Sequence, residues 1–185
     1  MTTPASTYRL QITRDFTLDD AAELTDYLHE LGVGAVYLSP VLQSTIGSDH
    51  GYDTTDPTRI DRDRGGQAGF DHLLARARAA GLGVVVDIVP NHLGISAPVE
   101  NPAWWDVLRL GRESAYADWF DIEWSRDRIV VPVLGDDQTL TVSDGELRYF
   151  DHRFPLAPGS WREGDDAATT HARQHYELVH WSRGN

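Results

Sequence analysis

"VVVDIVPNHLG", residues 84–94, sets three valines ahead of Asp87 and then brings Pro90, Asn91 and His92 together. A run that is apolar on successive residues reads as a strand covered on both faces, the condition of a parallel sheet. The end of this strand is a carboxylate, an amide and an imidazole in quick succession. One reading is a strand that stops at a polar loop. The other is a strand whose carboxyl end delivers polar groups into an active site, the place where parallel sheets bind their ligands.

Outward from that stretch the pattern repeats. Residues 8–12, "YRLQI", read as a short strand. Thr17 is placed to cap a helix with Asp19 and Asp20 in its first turn, where negative charge is favoured. Ala21, Leu24, Leu28 and Leu31 recur at helical spacing, and Gly32 is a natural stop. "AVYLSP", 35–40, is a second strand closed by Pro40, and a polar loop is expected from Val41 to Gly65. Phe70, Leu73, Leu74 and Ala77 mark one face of a second helix that stops near Gly81. Strand, helix, strand, helix, strand is the order of βα units, which predicts a (β/α)8 barrel or a doubly wound sheet. No glycine-rich phosphate loop lies between Ile12 and Leu18, which disfavours a nucleotide-binding sheet.

After Asn91 the character changes. Residues 95–124 are aromatic-rich and are expected to be irregular; "RIVVPVL" (128–134), "TLTV" (139–142) and "LRYF" (147–150) read as strands, with Asp144-Gly145 as a hairpin turn. Residues 151–164 are expected to be loop, and 167–181 helical with Tyr176, Val179 and His180 on one side.

Composition narrows the function. Of 185 residues, 41% are hydrophobic and 24% charged, enough for a substantial core. A formal net charge of −13 weighs against nucleic acid and against an anionic membrane surface, and suits a neutral substrate. With no cysteine there is neither a disulfide framework nor a thiolate metal site. "MTTPASTYRLQI" has no basic n-region or apolar h-region, and no apolar run approaches the roughly 20 residues of a membrane span, so a cytoplasmic location is expected.

The expected loop carries "GSDHGYDTTDP", residues 47–57, which gathers His50, Tyr52 and several carboxylates. An aromatic face beside carboxylate acceptors is what a sugar ring needs, with its C–H groups on one side and hydroxyls at its rim. The plainer reading is a turn-rich surface loop with solvated acids. Taken together, "GYD" at 51–53 and "DIVPNH" at 87–92 resemble the α-amylase superfamily, glycoside hydrolase family 13.

The resemblance implies an α/β fold: the first three βα units of a (β/α)8 TIM barrel, incomplete in this chain, with a β-containing insertion after strand 3. Residues 1–94 would be barrel, 95–166 the insertion, and 167–185 a helix returning to the barrel. It implies that Tyr52 stacks on the sugar of the −1 subsite and that His92 hydrogen-bonds that sugar's hydroxymethyl group. Asp87 would be a buried supporting carboxylate acting through an arginine. Asn91 would brace its loop, Asp53 would support the loop around Tyr52, and His50 would join the substrate-binding set. Each has a plainer role: Asp87 paired with a core cation, His92 a satisfied loop histidine, Tyr52 packing. The specificity lies in the joint pattern, in order, on the expected strand ends.

A narrower resemblance within the family rests on "STYRLQ", "NPAWWDVL", "YADWFDIEW", "PVLG", "YFDHRFPLAPG" and "RQHYELVHW", which follow in order through the chain. It implies members that isomerise the reducing-end α-1,4 bond of a maltooligosaccharide to an α,α-1,1 bond by intramolecular transglucosylation. Trp104, Trp105, Trp119, Phe120 and Trp124 are candidates for reducing-end subsites or for the core of the insertion, and His152 and Arg153 for contacts with glucose hydroxyls.

A retaining glycosidase needs a nucleophile and a general acid with carboxyl groups about 5–5.5 Å apart. In this family they follow the fourth and fifth barrel strands, and only three barrel strands are legible here. The chain is therefore expected to be a fragment, inactive alone, with a maltooligosaccharide substrate, no cofactor and no metal. A trehalose-releasing trehalohydrolase is the implied pathway partner. The competing readings are a fragment of an amylase-type glucan hydrolase and a non-catalytic oligosaccharide-binding module.

Overall fold

A computed structural model describes residues 3–137 and 139–183, and the chain divides into two units, Met1–Gly94 and Ile95–Asn185. The first unit runs through β1 (Thr7–Leu10), α1 (Leu18–Glu23), α2 (Thr25–Glu30), β2 (Ala35–Leu38), β3 (Leu42–Ser44), β4 (Thr54–Ile60), α3 (Gly66–Ala79) and β5 (Gly83–Val86). Its three-stranded sheet is parallel in the order β1-β2-β5, with Thr7, Ala35 and Gly83 in register at one end and Leu10, Leu38 and Val86 at the other. Asp87 N–H donates to the Leu38 carbonyl at 3.0 Å, so the ladder continues one residue past β5 and fixes the direction of the loop beyond it.

Alternation along β2 separates two environments. Val36 and Leu38 are fully buried in a cluster with Leu10, Leu18, Ala21, Leu28, Leu73 and Ala77, which seats the helices on one face of the sheet. Arg9, Tyr37 and Val85 share the other register row, and Val85 is 40% exposed there. That face is open.

The first helix starts as its sequence predicts. Thr17 accepts from Asp20 N–H while Asp20 accepts from Thr17 N–H at 2.7 Å, a reciprocal cap. The single helix expected to Leu31 is broken at Leu24. Buried Thr25 donates its hydroxyl to the Ala22 carbonyl at 2.8 Å, and this back-bonding loosens the turn. The loop expected over 41–65 contains the antiparallel pair β3–β4. Its register shifts twice and β4 includes Pro57, so the pair lacks the clean alternation by which a strand is recognised. On α3 the buried stripe is Gly69, Leu73 and Ala77; Leu74, expected on that face, lies at its exposed rim.

The second unit contains α4 (Pro102–Leu110), β6 (Ile129–Leu134), β7 (Thr141–Ser143), β8 (Glu146–Tyr149), β9 (His152–Pro155), α5 (Ala167–Ala172) and β10 (Tyr176–His180). The stretch expected to be irregular holds α4, started by Asn101, which accepts from Trp104 N–H at 2.9 Å, and by Pro102 at its first position. Strands β7, β8 and β9 form an antiparallel meander. Asp144 (φ 54°) and Gly145 (φ 75°) make the expected hairpin turn. A second tight reversal at Phe150 (φ 48°) returns the chain as β9, inside the stretch expected to be loop.

The helix expected over 167–181 closes after Ala172. Tyr176 and Leu178 are buried at a spacing of two, and β10 pairs in parallel with β6. His171 on α5 accepts from Leu178 N–H at 2.9 Å and Tyr176 donates to the Pro155 carbonyl at 2.9 Å, tying the strand into a core with Trp104, Val107, Leu108, Leu147 and Phe154. Among the described residues no helix is long and apolar enough to cross a membrane.

Candidate functional site

Two loops meet at the carboxyl end of the parallel sheet. One follows β5 and carries Asp87, Asn91 and His92; the other lies between β3 and β4 and carries Ser48 to Asp53. Tyr52 donates its phenol proton to Asp87 Oδ2 at 2.7 Å, and Arg9 Nη2, from β1, donates to the same phenol oxygen at 3.3 Å. The Asp87 carboxylate pushes the phenol above the ordinary tyrosine pKa, while Arg9 pulls it the other way. Asp87, a buried supporting carboxylate in the resemblance, is half-buried here and accepts from the Tyr52 phenol, which Arg9 also reaches.

His92 stands with Nε2 at 3.1 Å from the Tyr52 carbonyl oxygen and with Nδ1 at 3.2 Å from Asn91 Oδ1; both oxygens accept, so a neutral ring donates to one of them at a time. Both Asn91 and His92 are exposed. Tyr52 is 40% exposed, so its ring keeps open surface, and its nearest ring neighbour is His50, with centroids 6.1 Å apart and planes at 25°. His50 Nδ1 accepts from Tyr52 N–H at 3.0 Å. Because Nδ1 carries a lone pair there, its 3.8 Å approach to Asp53 is proximity and not an ion pair.

Asp53 supports the loop: its carboxylate accepts from Ser48 Oγ at 2.5 Å, and Ser48 Oγ accepts from Gly51 N–H at 3.1 Å. Two glycines allow this geometry. Gly51 has φ 78°, and a Cβ there would lie 2.8 Å from the Pro40 carbonyl oxygen. Gly94 N–H donates to the Thr54 carbonyl at 2.7 Å, and a Cβ on Gly94 would lie 2.7 Å from the Asp53 carbonyl oxygen. Backbone contact between the two loops thus requires Gly94.

Tyr52, Asp53, His50, Asp87, Asn91 and His92 therefore form one cluster on the first unit. His152 and Arg153 lie on β9 of the second unit. His152 is stacked between Tyr149 and Phe154, with centroids 6.3 and 6.4 Å away. Arg153 makes two 2.7 Å hydrogen bonds to Glu146, whose carboxyl group it holds below the usual range. Trp104 is a core residue packed on Phe120 at 4.9 Å, Trp124 lies against the same core, and Trp119 is half exposed beside Tyr116. Among the described residues no group of three or more His, Asp or Glu is gathered as a metal site.

Arg9 escaped the sequence reading, though a cation in the middle of a short apolar strand is a signal that its face is polar. Ser48, within the Tyr52 loop, and Arg64, whose Nη2 donates to the Ser48 carbonyl, escaped it without such a signal.

The chain belongs to the alpha-amylase family: the model of the alpha amylase catalytic domain matches residues 16–162. Within that family the solved maltooligosyltrehalose synthase of Arthrobacter ramosus superposes with a TM-score of 0.91 at 52% identity, over 97% of this chain and 24% of that one. A Mycobacterium tuberculosis protein that bears the name maltooligosyl trehalose synthase is 48% identical over 190 residues, again 97% of this chain and 24% of the relative. The intracellular maltogenic amylase of Bacillus subtilis is 36% identical over 105 residues, 57% of this chain and 17% of the relative. The chain thus spans about a quarter of the length of the relatives that match it end to end.

Proposed function

We propose that this chain supplies the sugar-holding wall of the active site in a maltooligosyl trehalose synthase, which exchanges the reducing-end α-1,4 bond of a maltooligosaccharide for an α,α-1,1 bond. The observation that carries the reading is the 2.7 Å hydrogen bond between Tyr52 and Asp87, which joins an exposed aromatic to a carboxylate at the end of a parallel strand. In this reading β1, β2 and β5 are the first three strands of a (β/α)8 barrel, and the open face carrying Arg9, Tyr37 and Val85 is turned to its interior. The second unit is the insertion after the third strand; the pairing of β10 with β6 extends it past residue 166, where the sequence suggested it ends.

The residues then divide the work. The Tyr52 face takes the C–H side of the −1 glucose, and Asp87 and Arg9 fix the ring's height from its hydroxyl end. His92 gives up the Tyr52 carbonyl to donate to the sugar's hydroxymethyl oxygen. Asn91 orients His92, and Asp53 with His50 shapes the turn that presents Tyr52. Arg153, committed to Glu146, serves the insertion's own stability more than a sugar contact. The nucleophile and the general acid follow the fourth and fifth barrel strands, in the part of the relatives' length that this chain does not span. A trehalose-releasing trehalohydrolase and a cytoplasmic setting belong to the same reading.

The match over 97% of the chain to synthases, against 57% for the maltogenic amylase, supports isomerisation over simple hydrolysis. The test is to follow maltopentaose with the full-length polypeptide by NMR. Loss of the reducing-end anomeric signals, with a new α,α-1,1 signal and no matching release of glucose, is the expected result. New reducing ends would establish hydrolysis, and binding without turnover a carbohydrate-binding module.

A further inference from the structure

We propose that Arg64 is the positioning residue for Tyr52, a buried guanidinium that bolts the Ser48–Asp53 turn to the end of the first strand. Arg64 is 1% exposed. Its Nη2 donates to the Ser48 carbonyl at 2.8 Å, and its Nη1 donates to the carbonyl of Ile12, two residues past β1. The compensating charge is Asp61, 4% exposed, with Oδ2 at 3.5 Å from Arg64 Nε. Asp61 is itself held by Ser44, whose N–H and hydroxyl donate to Oδ2 at 3.1 and 2.8 Å.

One planar cation therefore grips two segments that are 36 residues apart in sequence, Ile12 and Ser48, each through a separate arm of a rigid fork that a compact ammonium lacks. From Ser48 the constraint passes directly into the turn, through its hydroxyl to the Asp53 carboxylate and from Gly51 N–H to the same hydroxyl. The space beneath the turn is filled: a Cβ on Gly51 would come within 3.3 Å of Arg64 Nη2. Tyr52 is the next residue, and its phenol meets Asp87 only when the turn sits at this height. A buried charge is costly unless paired, so the Asp61 partnership also keeps the fork from leaving its seat.

This inference rests on the sugar-site reading of Tyr52, and the test keeps the two apart. Arg64→Lys retains a charge opposite Asp61, so the fold is kept, but it loses the two fixed arms that reach the Ile12 and Ser48 carbonyls. In the full-length polypeptide it is expected to lower kcat on maltopentaose by no more than Tyr52→Phe does, about three- to tenfold, with KM little changed, the mark of a displaced group and not of lost binding. Added to Tyr52→Phe it should cost almost nothing more, because the two act on one contact. In protein labelled with 13C-tyrosine, the Tyr52 Cζ resonance should move toward that of exposed tyrosines. An unmoved Cζ resonance, or losses that multiply in the double variant, would overturn the proposal. The resonance needs no substrate. If the wild-type polypeptide leaves maltopentaose untouched, the sugar-site reading fails and the Cζ comparison alone decides the role of Arg64.

Discussion

Tyr52 and Asp87, 35 residues apart, meet through a 2.7 Å hydrogen bond that links the turn before β4 to the end of β5. The contact occupies the Tyr52 hydroxyl while the residue stays 40% exposed, so face and anchor can be tested apart. Tyr52→Phe keeps the face and removes the anchor, so turnover should fall modestly, about three- to tenfold for an exposed contact. Tyr52→Ala removes both and should fall much further. Steady-state kinetics on a maltooligosaccharide check this; equal damage from both would make the hydroxyl the essential element.

Gly94→Ala tests the backbone contact between the two loops. The new methyl would sit 2.7 Å from the Asp53 carbonyl oxygen, closer than any relaxed contact, so the two strand-end loops must part. A loss of about 1–3 kcal/mol in denaturant stability is expected, with a fall in turnover because Tyr52 and His92 separate. Unchanged stability and turnover would mean that the loops yield freely there.

His171 gives the second unit a pH dependence. Burial, with Arg128 nearby, lowers its pKa below the ordinary 6.5, and its Nε2 lone pair accepts from Leu178 N–H. The folded state therefore favours the neutral ring. Its stabilisation is complete above the unfolded value of 6.5 and is lost as pH falls through the lower folded value. Thermal midpoints recorded from pH 7 to pH 5 should decline, and His171→Gln, which can still accept from Leu178, should flatten that limb.

Residues 1–185 expressed alone should self-associate. The sheet order β1-β2-β5 leaves two strand edges, and Val85 (40%) and Ile88 (61%) are exposed on or beside one of them. Each large apolar side chain left in water forgoes about 1.5–3 kcal/mol, against roughly 5–15 kcal/mol for a whole domain. Size-exclusion chromatography and a thermal melt decide it. A monomer with a sharp transition would favour an independent binding module.

What could be read beforehand was local. The valines of 84–86, the Thr17 cap and the Asp144-Gly145 turn each depend on neighbours in sequence, and each stands where its chemistry places it. The pair β3–β4 was hidden because its bulged register and Pro57 erase the period of two. In "YELVH" helix formers mask a strand that exists because β6 offers it an edge. Asp87 follows a strand whose apolar run was legible, whereas Tyr52 was expected in a loop and only the resemblance set it beside Asp87. Arg64 is one of several cations in "RIDRDRGG", and only the long-range fold buries it. Arg153 read as a ligand for sugar hydroxyls, yet Glu146, on the adjacent strand, occupies both arms of its fork.

His92→Ala tests most directly whether this cluster holds the sugar at which the linkage is exchanged. Its Nε2 lies 3.1 Å from the Tyr52 carbonyl oxygen, at the centre of the group formed with Tyr52 and Asn91. A contact that strengthens in the transition state lowers kcat and kcat/KM together when removed. The full-length polypeptide carrying His92→Ala, assayed on maltopentaose, should lose kcat with KM little changed; an unchanged kcat with only a raised KM would contradict the assignment of this cluster to the reacting sugar.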